Sequence, residues 1–133
     1  LNVPGLAGLC AGVQWLLEQG IETIAQRENA LAQLFYQKVS VHPKVTVYGD
    51  MTLPRRAPIV SLNIGAEDSA YVADRLWEDY GICVRAGAHC APLMHKALGT
   101  AEQGVVRVSF SHFNTKEEVL RAAAAVQELA QEL

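Results

Sequence analysis

Apolar side chains recur at a helical spacing over the first forty residues. The opening stretch predicts a helix with Asn2 as its N-cap and a proline in its first turn, ending at Gly20. A second helix is predicted from Ile21 to Val39, because apolar residues recur there every three or four positions. The chain is therefore expected to begin with two consecutive helices.

The remaining predicted helices follow later in the chain. Residues 66–80 have an amphipathic pattern whose apolar side includes Trp77. One short helix is predicted over residues 91–98. A final helix is predicted after Thr115, which forms a capping box with Glu118 at the start of an alanine-rich stretch.

Four stretches change to alternation or to a short apolar run, which is typical of β-strands. They are residues 45–48, 59–65, 82–87 and 104–111, and a loop is predicted over residues 51–58. Strands and helices alternate only in part along the chain. The pattern therefore predicts a two-layer α+β fold, in which a small, mainly antiparallel sheet of three to four strands carries helices packed on one face.

Composition and charge exclude several classes of protein. The 133 residues fit one domain, and a net charge of −3 argues against a nucleic-acid binder, which needs clustered lysine and arginine. No apolar stretch reaches the ~20 residues that span a bilayer, so no membrane partner is expected. The cysteines, Cys10, Cys83 and Cys90, are odd in number and irregular in spacing. They do not indicate a disulfide framework, and a reducing, cytoplasmic location is expected.

The first seventeen residues are apolar almost all round, and such a helix needs something to cover it. We expect residues 1–133 to be a single domain excised from a longer protein, with helix 1–20 packing on the missing part. The alternative is that this helix is buried in the domain's own core.

Cys90 lies in the stretch VRAGAHCAPL, where it could be a packing residue, a metal ligand or a nucleophile. A thiolate is stabilised by nearby positive charge or by a helix N-terminus. Arg85, His89 and His95 lie close in sequence, and a helix that begins at Pro92 would place Cys90 just before its N-terminus. These features are compatible with a nucleophile, but a lone loop cysteine is structural more often than catalytic, so from spacing alone both interpretations stay open.

A metal site is the rival interpretation, since Cys83, His89, Cys90 and His95 lie within thirteen residues. Their spacing does not match the short, repeated ligand pairs of zinc sites, so no metal is expected. Cys83 lies within an apolar strand pattern and is expected to pack. Cys10 is expected to pack in the core or against another domain.

Arg107 lies in the apolar strand pattern VVRVSFS. Alternation places it on the same face as Val105 and Ser109, and a charge there costs free energy unless it is paired. The carboxylate of a substrate, bound side-on by the guanidinium group, would pair it. A protein aspartate or glutamate could do the same, so both interpretations stay open.

The stretches GICVRAGAHCAPLMHKALGT and GVVRVSFSHFNTKEEV together resemble the C-terminal part of the cysteine desulfurases, which are class V aminotransferases that use pyridoxal phosphate. The resemblance extends over essentially the whole chain and implies the C-terminal small domain of that transferase fold. It implies that Cys90 is the catalytic cysteine, that Arg107 binds the substrate carboxylate and that Arg85 lies near the substrate. His89 is a possible supporting residue, and Asn2 is implied to lie near the cofactor phosphate of a dimer partner.

The resemblance further implies a function for the full-length protein. A cysteine desulfurase removes sulfur from L-cysteine, giving alanine and a persulfide on Cys90 that passes to an acceptor protein, for example in iron–sulfur cluster assembly. A cytoplasmic homodimer is implied. A selenocysteine lyase-like enzyme and a cofactor-free persulfide carrier or interaction domain are the alternatives.

The chain departs from the family pattern in one respect. The lysine that bears the cofactor follows a histidine well before this region in the family, and His95-Lys96 stands in the wrong place to be that pair. Pyridoxal 5'-phosphate is therefore expected in the full-length enzyme and not in this fragment, which should be inactive alone.

Overall fold

The computed structural model describes residues 1–53 and 56–133, so the middle of the predicted loop at 51–58 lies outside the described residues. Five helices and three strands are found there. In chain order they are α1 (Val3–Gln19), α2 (Ile21–Val39), β1 (Val45–Tyr48), β2 (Ile59–Ile64), α3 (Ser69–Tyr80), α4 (Pro92–Leu98), β3 (Val106–Ser109) and α5 (Lys116–Glu132).

The three strands form one antiparallel sheet in the order β1-β2-β3. Its register pairs Val47 with Leu62 and Leu62 with Val106, and these apolar residues therefore share one face of the sheet. Leu62 and Val106 are fully buried. The α+β prediction with three to four mainly antiparallel strands is confirmed.

The core lies between the apolar face of the sheet and helices α2, α3 and α5. Phe35 of α2, Leu76 of α3 and Leu129 of α5 have no exposed surface and belong to the same cluster as Leu62. Burying one such side chain contributes about 1.5–3 kcal/mol. The short helix α4 is different, because its residues line a pocket on the opposite face of the sheet.

Helix starts follow the predicted capping chemistry. The Thr115 hydroxyl accepts a hydrogen bond from the Glu118 amide at 3.2 Å, and the Glu118 carboxylate accepts one from the Thr115 amide at 3.0 Å. The predicted capping box is thus confirmed. The carboxylate of Asp68 caps α3 by accepting from the amide of Ala70 at 2.7 Å.

The segment predicted as a fourth strand over residues 82–87 forms only a bridge to the outer edge of β3. Arg85 and Arg107 exchange both backbone hydrogen bonds, and Gly87 pairs with Val105. Pairing continues no further because Gly87 has a φ of +99°, which turns the chain away from an extended path.

Two packing predictions were wrong. Cys83 is exposed, because Ile82 and Val84 on either side of it turn towards the core and alternation directs Cys83 outward. Trp77 is 58% exposed, since the buried positions of α3 are one turn apart at Val72 and Leu76.

Helix α1 has no buried residue. Apolar residues on several sides of it, among them Leu9, Val13 and Leu17, are each more than 40% exposed, and Cys10 is exposed as well. The alternative that α1 is buried in this chain's own core is therefore wrong. None of the described helices combines the length and hydropathy needed to cross a bilayer.

Candidate functional site

A single row of residues crosses the polar face of the sheet. Tyr48 pairs with Ser61, Ser61 with Arg107, and Arg107 with Arg85. Directly paired residues in antiparallel strands project from the same face, so the two arginines lie side by side, opposite the core. The sequence predicted both residues, and the backbone pairing brings them together.

Arg107 has no carboxylate partner among the described residues, whose ion pairs both belong to Arg75. The interpretation in which a protein aspartate or glutamate neutralises Arg107 is therefore not supported. Its Nε is buried and has no hydrogen-bond partner among the described residues. The side-on binding of a substrate carboxylate by Arg107 stays a prediction.

Arg85 is exposed, and its backbone amide donates to the carbonyl of Arg107 at 3.2 Å. Like charges directly opposite each other on neighbouring strands are destabilising, by up to about 1 kcal/mol. An anion bound between the two guanidinium groups would relieve that repulsion. The arrangement is therefore suited to an anionic ligand.

A pocket of about 460 Å³ opens over Arg107. Its lining joins the polar face of the sheet to the segment from 89 to 98. The lining residues are Tyr48, Gly49, Arg56, Ile59, Ser61, His89, Ala91, Met94, His95, Leu98, Val105 and Arg107. The pocket is large enough for a small amino acid. Two arginines, Arg56 and Arg107, are among its lining residues, and no acidic residue from the described part of the chain is.

Arg56 was not among the predicted site residues. Its terminal nitrogens donate to the backbone carbonyls of Asp50 at 2.8 Å and Ile59 at 2.9 Å, which fixes the guanidinium group at the pocket wall. Its position in the sequence, just before β2, could have indicated a place in the site. A residue there lies near the edge of the sheet face that carries Ser61 and Arg107.

Cys90 lies in the loop between Gly87 and α4 and is exposed. His89 and Ala91, its two neighbours in sequence, both line the pocket, so Cys90 lies at its rim. Packing of Cys90 in the core is ruled out, whereas its role as a nucleophile stays a prediction. No cluster of three potential metal ligands is found within residues 1–53 and 56–133.

The backbone at this point is strained. His89 has a φ of +50° and Cys90 a φ of +60°, and they are the only described residues besides glycine with positive φ. The left-handed conformation costs about 1–2 kcal/mol for an ordinary L-residue. Such strain clusters at functional sites, where the surrounding structure must hold it in place.

Two histidines lie against the pocket. Nε2 of His89 is 3.1 Å from the carbonyl oxygen of Val105, and Nδ1 of the buried His95 is 2.8 Å from the hydroxyl of Thr100. Burial lowers the pKa of His89 below its usual 6.5, and the charges of Arg107 and Arg85 lower that pKa further, although the bond to Val105 opposes the shift. His89 is therefore neutral at physiological pH.

Asn2 does not line this pocket. Its side-chain oxygen accepts a hydrogen bond from the amide of Gly5 at 3.0 Å and caps α1. The N-cap prediction is confirmed, whereas its placement near a cofactor phosphate stays a prediction.

The pocket can be compared with the needs of pyridoxal phosphate. That cofactor takes a lysine for its aldehyde and an acidic or arginine partner for its ring nitrogen. Arginines line the pocket, but no lysine does so in the described part of the chain, so the aldehyde would have no partner there. The residues here do not by themselves fit the cofactor, but they do fit the carboxylate of an amino acid.

The chain is similar to known proteins over almost its whole length. The family Aminotransferase class-V matches residues 1–121. A probable cysteine desulfurase from Methanothermobacter thermautotrophicus is 35% identical over 132 residues, covering 98% of this chain and 32% of its own length.

Two solved structures are also similar. The apo structure of a cysteine desulfurase from Thermococcus onnurineus matches 99% of this chain and 32% of its own, with a TM-score of 0.90 and 33% identity. The S-sulfonic acid form of a cysteine desulfurase from Escherichia coli matches 99% of this chain and 31% of its own, with a TM-score of 0.84 and 27% identity. The chain thus spans about a third of the length of these relatives.

Proposed function

The chain belongs to the aminotransferase class-V family, and on that premise we propose that it is the C-terminal part of a pyridoxal-phosphate-dependent cysteine desulfurase. The proposed reaction takes sulfur from L-cysteine, leaves alanine and places the sulfur on Cys90 as a persulfide. The relatives named cysteine desulfurase motivate this assignment.

One observation carries the proposal. Arg107 projects into the pocket with no carboxylate partner in the described part of the chain, and the exposed Cys90 lies at the rim of the same pocket. A site that pairs a free guanidinium group with a nearby thiol is suited to an amino acid whose carboxylate is fixed and whose side chain reacts. Orientation of this kind supplies several kcal/mol of rate acceleration, about 7–11 kcal/mol at most.

The residues of this chain have distinct proposed roles. The guanidinium group of Arg107 holds the substrate carboxylate, and Arg85 adds positive charge beside it. The Cys90 thiolate attacks the substrate sulfur, so that a sulfur–sulfur bond forms while the carbon–sulfur bond breaks and its electron pair leaves with the carbon. The electron-withdrawing chemistry that this bond cleavage requires would come from pyridoxal phosphate held by other parts of the enzyme.

The uncovered surface of α1 suggests how this chain fits into the longer enzyme. An apolar helix without a buried residue needs a covering surface, and we propose that the larger domain supplies it. The proposed setting is a cytoplasmic homodimer that hands the sulfur to an acceptor protein. In sedimentation experiments the 133-residue chain alone should self-associate, and a clean monomer at high concentration would contradict this role of α1.

Alanine release from L-cysteine by the full-length enzyme tests the function. We expect Cys90→Ala to abolish persulfide-dependent turnover, whereas Cys83→Ala serves as the matched control because its thiol is also exposed but lies away from the pocket. Unchanged turnover in Cys90→Ala, or no alanine from the parent enzyme, would overturn the proposal. Without alanine release, a Cys90 that still accepts sulfur from a persulfide donor would favour the cofactor-free carrier.

A further inference from the structure

We propose that His89 is a positioning residue: its neutral imidazole, with the proton on Nε2, ties the Cys90 loop to the strand that carries Arg107. Any effect of this anchoring on sulfur transfer by Cys90 rests on the proposed function, whereas the anchoring itself does not. The loop comprises residues 86–91, between the bridge at Arg85 and the start of α4.

The anchor is a hydrogen bond to a single backbone carbonyl. Val105 accepts from the amide of Gly87 at 3.1 Å and stands 3.1 Å from Nε2 of His89, so both lone pairs of its oxygen are engaged. In the described residues, this is the only side-chain hydrogen bond that the loop makes to the rest of the chain. Val105 lies two residues before Arg107. The bond therefore links the loop that carries Cys90 to the strand that carries Arg107.

The backbone of the loop is strained, and the hydrogen bond from His89 to Val105 holds the strained conformation in place. Two successive non-glycine residues, His89 and Cys90, adopt left-handed conformations, which an unrestrained chain would leave. The backbone hydrogen bonds at the ends of the loop are the reciprocal pair between Gly87 and Val105, the bond from the Ala91 amide to Ala88, and the bond from the His95 amide to Ala91. The His89 side chain therefore acts at the strained point itself, one residue before Cys90.

The surroundings of the ring select its protonation state. A carbonyl oxygen only accepts, so Nε2 must carry a proton. Nδ1 is buried and has no hydrogen-bond partner in the described residues, and a second proton there would be an unsatisfied donor. Arg85 and Arg107 face the ring with positive charge, and His95 lies 6.1 Å away between ring centroids. All of these groups oppose an imidazolium.

Two variants distinguish a His89 side chain that holds the loop by its hydrogen bond to Val105 from one that only fills space. His89→Ala removes the donor, whereas His89→Gln places an amide N–H close to the position of Nε2 and should keep the bond to Val105. Amide hydrogen exchange of the 133-residue chain then reports on the loop through Gly87 and Ala91, with the Arg107 amide as an internal reference because it bonds to Arg85 at 2.7 Å. We expect about fivefold faster exchange at Gly87 and Ala91 in His89→Ala.

The expected pattern is that exchange in His89→Gln stays within about twofold of the parent chain and that Arg107 is unchanged in both variants. Long-range proton–nitrogen correlation at neutral pH should in addition show His89 protonated on Nε2 alone. Exchange in His89→Ala equal to the parent, no rescue by His89→Gln, or a proton on Nδ1 would each overturn the proposal. None of these readouts needs desulfurase activity, so a failed proposed function would leave this test intact.

Discussion

Replacing Arg107 by methionine should stabilise the fold and weaken ligand binding at the same time. In the free chain this arginine lies directly opposite Arg85, and its Nε is buried with no hydrogen-bond partner in the part of the chain that the structure describes. Methionine keeps an unbranched apolar side chain in the strand and removes both penalties. Side chains that are needed for function often destabilise the fold when no ligand is bound, so their removal can raise stability while it lowers activity.

The magnitude follows from those two contacts. An unsatisfied buried donor costs about 1–3 kcal/mol, and a directly opposed like-charge pair costs up to about 1 kcal/mol. Allowing for incomplete relief, we expect the free energy of unfolding to rise by about 1–2 kcal/mol in Arg107→Met. For a chain of this size that corresponds to roughly 3–6 °C in Tm.

Urea and thermal unfolding of the 133-residue chain at neutral pH and low salt measure this directly. Arg121→Met is the matched control, because Arg121 is exposed on α5 and its replacement should change the free energy of unfolding by no more than about 0.5 kcal/mol. In the full-length enzyme, Arg107→Met should raise KM for L-cysteine about 10- to 150-fold, as expected for a lost charged hydrogen bond of about 1.5–3 kcal/mol. A variant that is less stable than the parent, or that keeps its KM, would refute the reasoning.

The core, the His89 ring and the three thiols allow further tests. Leu62→Ala should lower the free energy of unfolding by about 2–5 kcal/mol in urea titrations, because Leu62 is fully buried on the central strand, and a loss below about 1 kcal/mol would contradict that packing. The folded-state pKa of His89 lies below 6.5, so its contribution to stability is intact above 6.5 and is lost as the pH falls through the folded-state pKa. His89→Gln should flatten that acid loss, and identical pH profiles would count against it. Iodoacetamide should modify Cys90 faster than Cys10 or Cys83, since all three are exposed but only Cys90 borders the arginine-lined pocket; equal rates by mass spectrometry would argue otherwise.

Local signals in the sequence were sufficient for most of the elements. The bounds of α2, the capping box at Thr115 and the alternation around Arg107 depend on residues close together in the chain, and each agrees with the structure. Alternation predicted that Arg107 shares a face with Val105 and Ser109, and only the strand pairing shows that this face lies opposite the core. Its neighbour Arg85 came from the motif, and only strand pairing placed the two side by side.

Tertiary contacts explain what the sequence did not predict. Cys83 was expected to pack because it stands in an apolar run, but that run forms a bridge instead of a strand, with only its flanking residues turned inward. Arg56 reaches the pocket through hydrogen bonds to Asp50 and Ile59, which a pattern along the chain cannot show. The anchoring of His89 depends on a carbonyl 16 residues away.

The most direct test of the central claim is a mass measurement on the full-length enzyme after incubation with L-cysteine, without reductant. We predict that the peptide containing Cys90 gains the mass of one sulfur atom and that the peptides containing Cys10 and Cys83 do not. A Cys90 peptide of unchanged mass, from an enzyme that still releases alanine, would contradict the claim that this thiol receives the sulfur.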